Sequence, residues 1–204
     1  MIITERLVLK PYSLDFVEEF HHKFRKDESY LLDYFSRTLD ATKTLEQTKE
    51  YFKKKIESCR NNEGFYFGIF LKESDELIGH ISVREIDWTV PKGELAYFIF
   101  SDFSGRKYSY EALESFRDWC ISEKGLLRIF LKIAPDNIAS KKVAEFCNFE
   151  LEGLLKNDYR KRQEILTDML LYSFTKQFTS TSIHTNSQRF FYCLHQSSES
   201  YFHL

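Results

Sequence analysis

The stretch LLRIFLKIAPDNIASKKVAEFCNF, residues 126–149, runs a strand, a turn and a helix start in direct succession. In LRIFLKI, Leu127, Ile129, Leu131 and Ile133 share one face while Arg128 and Lys132 take the other, the period-two pattern of a half-buried strand. Pro135 ends the extended run, and Asn137 then offers a side-chain oxygen to the unpaired amides of a first helical turn, with Ser140 three residues on. Ala139, Val143, Phe146 and Cys147 recur at helical spacing and predict the buried face of that helix. A helix head with free backbone donors is thus built at the carboxyl end of a strand. Taken alone, the segment is a capped amphipathic helix, and its neighbours must say whether it is more.

The 204 residues suffice for one ordinary domain, which buries roughly 70% of its unfolded surface. We read a domain over 1–176 and a tail over 177–204, where Ser and Thr are frequent, Phe190, Phe191 and Tyr192 stand together and no period of two or 3.6 appears. Such a tail is expected to be poorly ordered or loosely docked. The 29 basic and 31 acidic residues are interspersed, so neither nucleic acid nor a membrane surface is implied as a partner, and nothing specifies an oligomeric state. Cys59, Cys120, Cys147 and Cys193 form no C-x-x-C pair and read as buried or free thiols, and the six histidines lack metal-ligand spacing, so no metal is expected. The first residues, MIITERLVLKPY, mix charges into a short apolar pattern, and no stretch reaches eighteen apolar residues; a cytoplasmic, soluble protein is expected.

Leu7 and Leu9 mark a first strand that stops at Pro11, after which Ser13 caps a helix on Leu14, Val17, Phe20 and Phe24. Thr44 and Gln47 form a capping box for a second helix with its stripe on Leu45, Thr48, Phe52, Ile56 and Cys59. Between them, Tyr30, Leu31, Leu32, Tyr34 and Phe35 make an aromatic cluster that suits either the core or the wall of a cleft. Strands over 65–71 and 77–87 flank KESDE as a hairpin, and Gly79 marks a bulge or a close approach. ELAYFIF, 94–100, is apolar on both faces, as a central strand should be. A polar loop with Gly105 then opens a helix on Ala112, Leu113, Phe116, Trp119 and Cys120, and strands near 151–157 and 167–174 close the domain around a basic turn at Arg160, Lys161 and Arg162.

This order, and the wording of TERLVLKPY, ELIGHISVREID, ELAYFIF, YSYEALESF, the run from Leu127 to Arg160 and TDMLLYS, resembles the GNAT acyl-coenzyme A N-acetyltransferase superfamily, in the branch containing the ribosomal-protein N-terminal acetyltransferases. The resemblance covers about residues 3–176. It implies an α/β (α+β) fold: a mixed, twisted sheet of about seven strands, flanked by helices and splayed at its centre between ELAYFIF and LRIFLKI. The arm of acetyl-coenzyme A would pair along the splayed edge, and its pyrophosphate would lie on the amides of Ser104, Gly105, Arg106, Lys107, Tyr108 and Ser109, where backbone donors and the helix dipole favour negative charge. The family's loop pattern is Gln or Arg, two residues, Gly, one residue, then Gly or Ala, and Ser104, Lys107 and Ser109 depart from it at all three positions. A lysine forced to positive φ costs on the order of 1 kcal/mol, less than several amide-to-phosphate bonds are worth.

Acetyl transfer from a thioester to an amine needs a neutral nucleophile, a polarised carbonyl and a proton for the departing thiolate. Glu94 is the candidate to accept the ammonium proton through a water, or else a strand-end glutamate in solvent. The resemblance assigns backbone amides of Phe98, Ile99 and Phe100 to the acetyl carbonyl and Asn137 to the coenzyme arm. It makes Ser140 the acid, with Tyr159 as the other candidate. An α-amine has a pKa of roughly 8 against roughly 10.4 for lysine, so one carboxylate suits an N-terminal acceptor. Tyr30, Tyr34, Phe35 and Trp88 would shape the acceptor cleft. The readings are an N-acetyltransferase for a protein N-terminus, one for a polyamine-like small amine, or a binding module of the same fold with weakened coenzyme binding.

Overall fold

Period-two apolar segments assemble one eight-stranded sheet in the computed structural model, which describes residues 1–161 and 165–176. The strands are β1 (Ile2–Ile3), β2 (Leu7–Pro11), β3 (Phe65–Leu71), β4 (Leu77–Asp87), β5 (Lys92–Ile99), β6 (Arg128–Ile133), β7 (Glu150–Arg160) and β8 (Leu166–Thr175), in the order β1-β2-β3-β4-β5-β6-β8-β7. The helices are α1 (Val17–Lys26), α2 (Glu28–Ala41), α3 (Leu45–Arg60), α4 (Tyr108–Ser122) and α5 (Ile138–Phe146). This is the expected mixed α/β sheet with one strand more than the seven anticipated: β1, two residues long, is too short to show a period. Arg162 of the basic turn and the expected tail at 177–204 lie outside the described residues. No helix among the described residues is long and apolar enough to cross a membrane.

Local chemistry explains most boundaries. Thr44 and Gln47 form both bonds of the capping box at the head of α3, and Ser13 accepts from the amide of Asp15 to start a 3-10 turn that runs into α1. Asn137 accepts from the amide of Ser140 at 3.0 Å, capping α5. That helix buries Val143 and Ala144, with Cys147 just beyond it, whereas the expected face residues Ala139 and Phe146 are exposed; Phe146 instead sets its ring edge-on to Tyr110. Gly79 marks a close approach: a Cβ there would stand 2.3 Å from the carbonyl oxygen of Phe98 on the neighbouring strand.

The sheet divides the core in two. On one face Leu95 and Ile99 of β5 pack with Ala112, Leu113 and Phe116 of α4 and Val143 and Ala144 of α5. On the other, Phe98 of β5 joins Phe20, Phe24 and Phe52 from α1 and α3 in an aromatic cluster whose tightest pair, Tyr12 and Phe52, stacks at 4.1 Å. Each such buried aromatic contributes about 1.5–3 kcal/mol. Alternation along β5 therefore sends successive side chains to opposite faces of the sheet.

Pairing fixes where the sheet opens. β4 and β5 are antiparallel from Gly79↔Ile99 to Arg84↔Glu94. β5 and β6 are parallel, but only for Lys92↔Arg128, Gly93↔Ile129 and Glu94↔Phe130. Beyond Glu94 the two strands part, as anticipated, and the remainder of β5 has β4 alone as its partner.

Candidate active site

A cavity of about 190 Å³ occupies the gap between the parted strands. Glu94, Leu95, Ala96 and Tyr97 of β5 form one wall and Leu131, Lys132 and Ile133 of β6 the other. Asn137 and Ser140 close it at the head of α5, Tyr34, Phe35, Arg37 and Thr38 of α2 cover it, and Asp158 and Tyr159 of β7 bound it. Of the residues singled out from the sequence, Glu94, Asn137, Ser140, Tyr159, Tyr34 and Phe35 thus meet at one place. Tyr30 and Trp88 are not part of this lining: Tyr30 is 54% exposed and Trp88 42%, its indole donating to the carbonyl oxygen of Asn62 at 2.7 Å.

Glu94 is not a glutamate in solvent. It is 7% exposed and faces Arg84, its register partner on β4, whose Nη2 donates to Glu94 Oε1 at 2.6 Å. Burial works against the Arg84 charge, and the neighbouring Glu94 more than offsets it, so the guanidinium is held even more firmly protonated than usual.

The amides of β5 alternate in direction like its side chains. Phe100 donates to the carbonyl oxygen of Ile78 at 2.9 Å, so its amide belongs to the β4 edge. Alternation then turns the amides of Ile99 and Tyr97 toward the open edge, while Phe98 shares the direction of Phe100. Only Ile99 of the three residues expected to polarise the carbonyl therefore offers its amide to the cleft, and Tyr97 joins it.

Ser140 lies opposite Tyr97, whose hydroxyl is buried without a hydrogen-bond partner. Burial pushes the Tyr97 phenol up. Tyr159 Oη and Ser36 Oγ of α2 stand 3.3 Å apart, and Tyr34 Oη donates to Asp136 at 3.3 Å. Both contacts bridge the covering helix to the far side of the gap. They meet it where α2 kinks, Phe35 having φ −127° and ψ 26°.

The loop before α4 lies outside this cavity and is exposed from Ser104 to Lys107. Lys107 stands at φ 63°, ψ 15° as the residue that starts the helix, and its side chain makes no capping bond, so the first amides of α4 are left to other acceptors. Gly105 takes φ +75°, with open space around the missing Cβ. Arg6 fixes the loop from outside by donating to the carbonyl oxygen of Arg106 at 3.1 Å and stacking on Tyr108. Uncapped amides at the head of a fifteen-residue helix, beside Arg106 and Lys107, offer donors and positive charge to an anionic group.

Arg84, Tyr97 and Thr38 escaped the sequence reading. A signal for the first was present: His80, Ser82 and Arg84 put polar groups at every second position of a strand that is otherwise Leu77, Ile78, Ile81 and Val83.

A mixed sheet parted between two parallel strands, with a helix head on each side of the gap, is an acetyltransferase fold. The chain belongs to the GNAT family: residues 6–150 match the acetyltransferase (GNAT) domain. It is 32% identical over 111 residues to p20 of Bacillus licheniformis, an uncharacterised N-acetyltransferase, a span of 54% of this chain and 62%, under two thirds, of that relative. Among solved structures it resembles the ribosomal L7/L12 alpha-N-protein acetyltransferase RimL in complex with coenzyme A, with a TM-score of 0.78 at 19% identity over 85% of this chain and 96% of that one. It also resembles the microcin C7 self-immunity acetyltransferase MccE in complex with acetyl-coenzyme A and AMP, with a TM-score of 0.76 at 18% identity over 85% and 94% of the two chains.

Proposed function

We propose that the protein transfers an acetyl group from acetyl-coenzyme A to a primary amine, and that the amine is a protein or peptide N-terminus. The observation that carries the reading is the parting of β5 from β6 immediately after Glu94↔Phe130, which joins the two faces of the sheet through one cleft. The coenzyme arm would lie on the α5 side, against the amides of Tyr97 and Ile99. The acceptor would enter from the α2 side, past Phe35 and Thr38, to reach Glu94. Attack of the neutral amine on the thioester carbonyl forms the C–N bond and breaks the C–S bond. Glu94, through a water, receives the proton the amine gives up, and Ser140 supplies one to the departing sulfur, with Tyr159 as the other hydroxyl in reach of the cleft.

The α-amine reading is supported by Glu94 being already engaged by Arg84, since an amine of pKa roughly 8 is partly neutral near neutral pH and needs less help from a base than one near 10.4. A ribosomal-protein N-acetyltransferase among the structural neighbours is consistent with it. The composition of the loop at Ser104, Lys107 and Ser109 favours a second reading, a binding module with weakened coenzyme affinity. Titration of the protein with acetyl-coenzyme A separates the two. Incubation with labelled acetyl-coenzyme A, a panel of N-terminally free peptides and spermidine then tests the acceptor; labelling of spermidine but of no peptide would reject the N-terminal reading.

A further inference from the structure

We propose that Arg84 selects the acceptor by donating to a carbonyl oxygen adjacent to the reacting amine, so that the substrate class is an α-aminoacyl N-terminus and excludes alkyl polyamines. The proposal rests on the acetyltransferase reading of the cleft and adds to it the residue that sets specificity.

The guanidinium is satisfied on one side only. Nη2 is taken by Glu94 and Nε is buried with no partner, while Nη1 makes no hydrogen bond among the described residues and the side chain as a whole is 43% exposed. A guanidinium carries five donors in a fixed fork, and a half-filled fork beside a cavity calls for an acceptor from whatever enters. Arg84 also lines a smaller pocket of about 30 Å³ that adjoins the cleft and shares Phe35, Thr38 and Ala96 with it. A group held by Arg84 would therefore sit next to Glu94, on the acceptor side of the sheet.

Charge decides between acceptor classes. Three carboxylates, Glu85, Glu94 and Asp158, line the cleft against three cations, Arg37, Arg84 and Lys132. Two of those carboxylates already have their cations, Glu94 with Arg84 and Asp158 with Lys132 at 2.8 Å. Lys55 adds another cation in the adjoining pocket, where burial, then the nearby Arg84, lowers its pKa. A protonated polyamine is donor-only and multiply positive; among the carboxylates lining the cleft it would find only Glu85 unpaired, with Arg37, Arg84 and Lys55 around it. A peptide N-terminus brings one amine and, one carbon away, a carbonyl oxygen that matches the open edge of Arg84.

The test compares an N-terminally free peptide with its isostere in which a methylene replaces the first carbonyl and carbon replaces the following nitrogen, keeping one amine and neutral charge elsewhere. With kcat/KM expressed per concentration of neutral amine, because the isostere is an alkylamine of pKa roughly 10.4 and the peptide amine one of roughly 8, wild-type protein is expected to favour the peptide by about tenfold, the value of one well-made hydrogen bond. Arg84→Lys keeps a cation opposite Glu94 but removes the fork, and should erase most of that ratio. Equal kcat/KM per neutral amine for the two acceptors in wild type, or an undiminished ratio in Arg84→Lys, would overturn the proposal. Transfer to the isostere or to spermidine without transfer to peptide would overturn it and leave acetyl transfer standing. Should no amine be acetylated, the acetyltransferase reading itself fails. The N-acetylated peptide and isostere, titrated into coenzyme A-loaded wild-type protein, then report the same tenfold preference or, by binding equally, refute it without turnover.

Discussion

Lys107→Gly separates backbone path from side-chain identity at the phosphate loop. Lys107 holds φ 63° at the start of α4, where a non-glycine residue bears a steric cost of roughly 1–2 kcal/mol. Glycine removes that cost but loses roughly 0.5–1 kcal/mol more backbone entropy on folding. The difference leaves a net stabilisation of about 0–1.5 kcal/mol, which for a domain of this size raises Tm by no more than about 6 °C. The same substitution deletes one exposed charge near the expected pyrophosphate, worth at most about 1 kcal/mol, so the Kd for acetyl-coenzyme A should rise by no more than about fivefold at low salt and less at high salt. Calorimetric melting and isothermal titration of both proteins measure the two numbers. A fall in Tm, or a hundredfold loss of affinity, would show that the lysine side chain and not the backbone path holds the loop together. Wild-type protein that fails to bind acetyl-coenzyme A at millimolar concentration while Lys107→Gly binds it would show that the lysine closes the site.

Ser140→Ala should leave coenzyme affinity within about twofold and slow single-turnover transfer by about tenfold or more, because protonation of the sulfur arises chiefly in the transition state; unchanged turnover would remove Ser140 as the acid. Glu94→Gln strands a guanidinium that is still partly open to solvent, so we expect a loss of stability below about 3 kcal/mol in urea titration, together with slower transfer at low pH. His80, bonded through Nδ1 to Tyr12 at 2.9 Å and through Nε2 to Ser82 at 3.1 Å, is held neutral by burial, with its pKa pushed down to about 3. A depressed histidine contributes stability that is full above the unfolded value of about 6.5 and is lost as pH falls toward the folded one, costing roughly 2–3 kcal/mol between pH 6.5 and 4.5. His80→Phe should flatten that part of the urea-measured pH profile; an unaltered slope would place the proton elsewhere.

The elements with strong local signals could be read in advance. The hairpin of β3 and β4, the apolar β5, the capping box at Thr44 and the cap at Asn137 each follow from side chains within a few residues of one another. α2 could not be read, for two local reasons. Asp27, at its head, does not cap it; its carboxylate reaches across the chain to accept from the amide of Ser101 at 2.5 Å and its hydroxyl at 2.6 Å. The kink at Phe35 then breaks the period, leaving Leu31 and Leu39 as the helix's buried residues and turning Tyr34 and Phe35 to the cleft. The Arg84–Glu94 pair depends on the β4–β5 register, which shifts between Arg84 and Asp87. No turn rule for the intervening DWTVPK gives that bulge. Candidate residues on single elements were therefore accessible to sequence reasoning, and those created by register between strands were not.

The parting of β5 and β6 needs a physical cause in the protein itself, since it leaves the amides of Tyr97 and Ile99 without strand partners. Each amide left unpaired and shielded from water costs about 1–3 kcal/mol, and full pairing of two parallel strands would recover it. What opposes closure is that β6 is tied to the other half of the sheet. Lys132 pairs with Asp158 of β7, Lys161 beyond β7 donates to Asp136 in the turn after β6 at 2.8 Å, and Arg128 bonds both Glu152 of β7 and Ser173 of β8. β5, for its part, is held to β4 along its length, with side chains locked into the cores on both faces. Closing the gap would have to break one set of contacts or the other, so the open edge is maintained before any ligand arrives. Ligand amides that fill it then replace water and need not displace a strand.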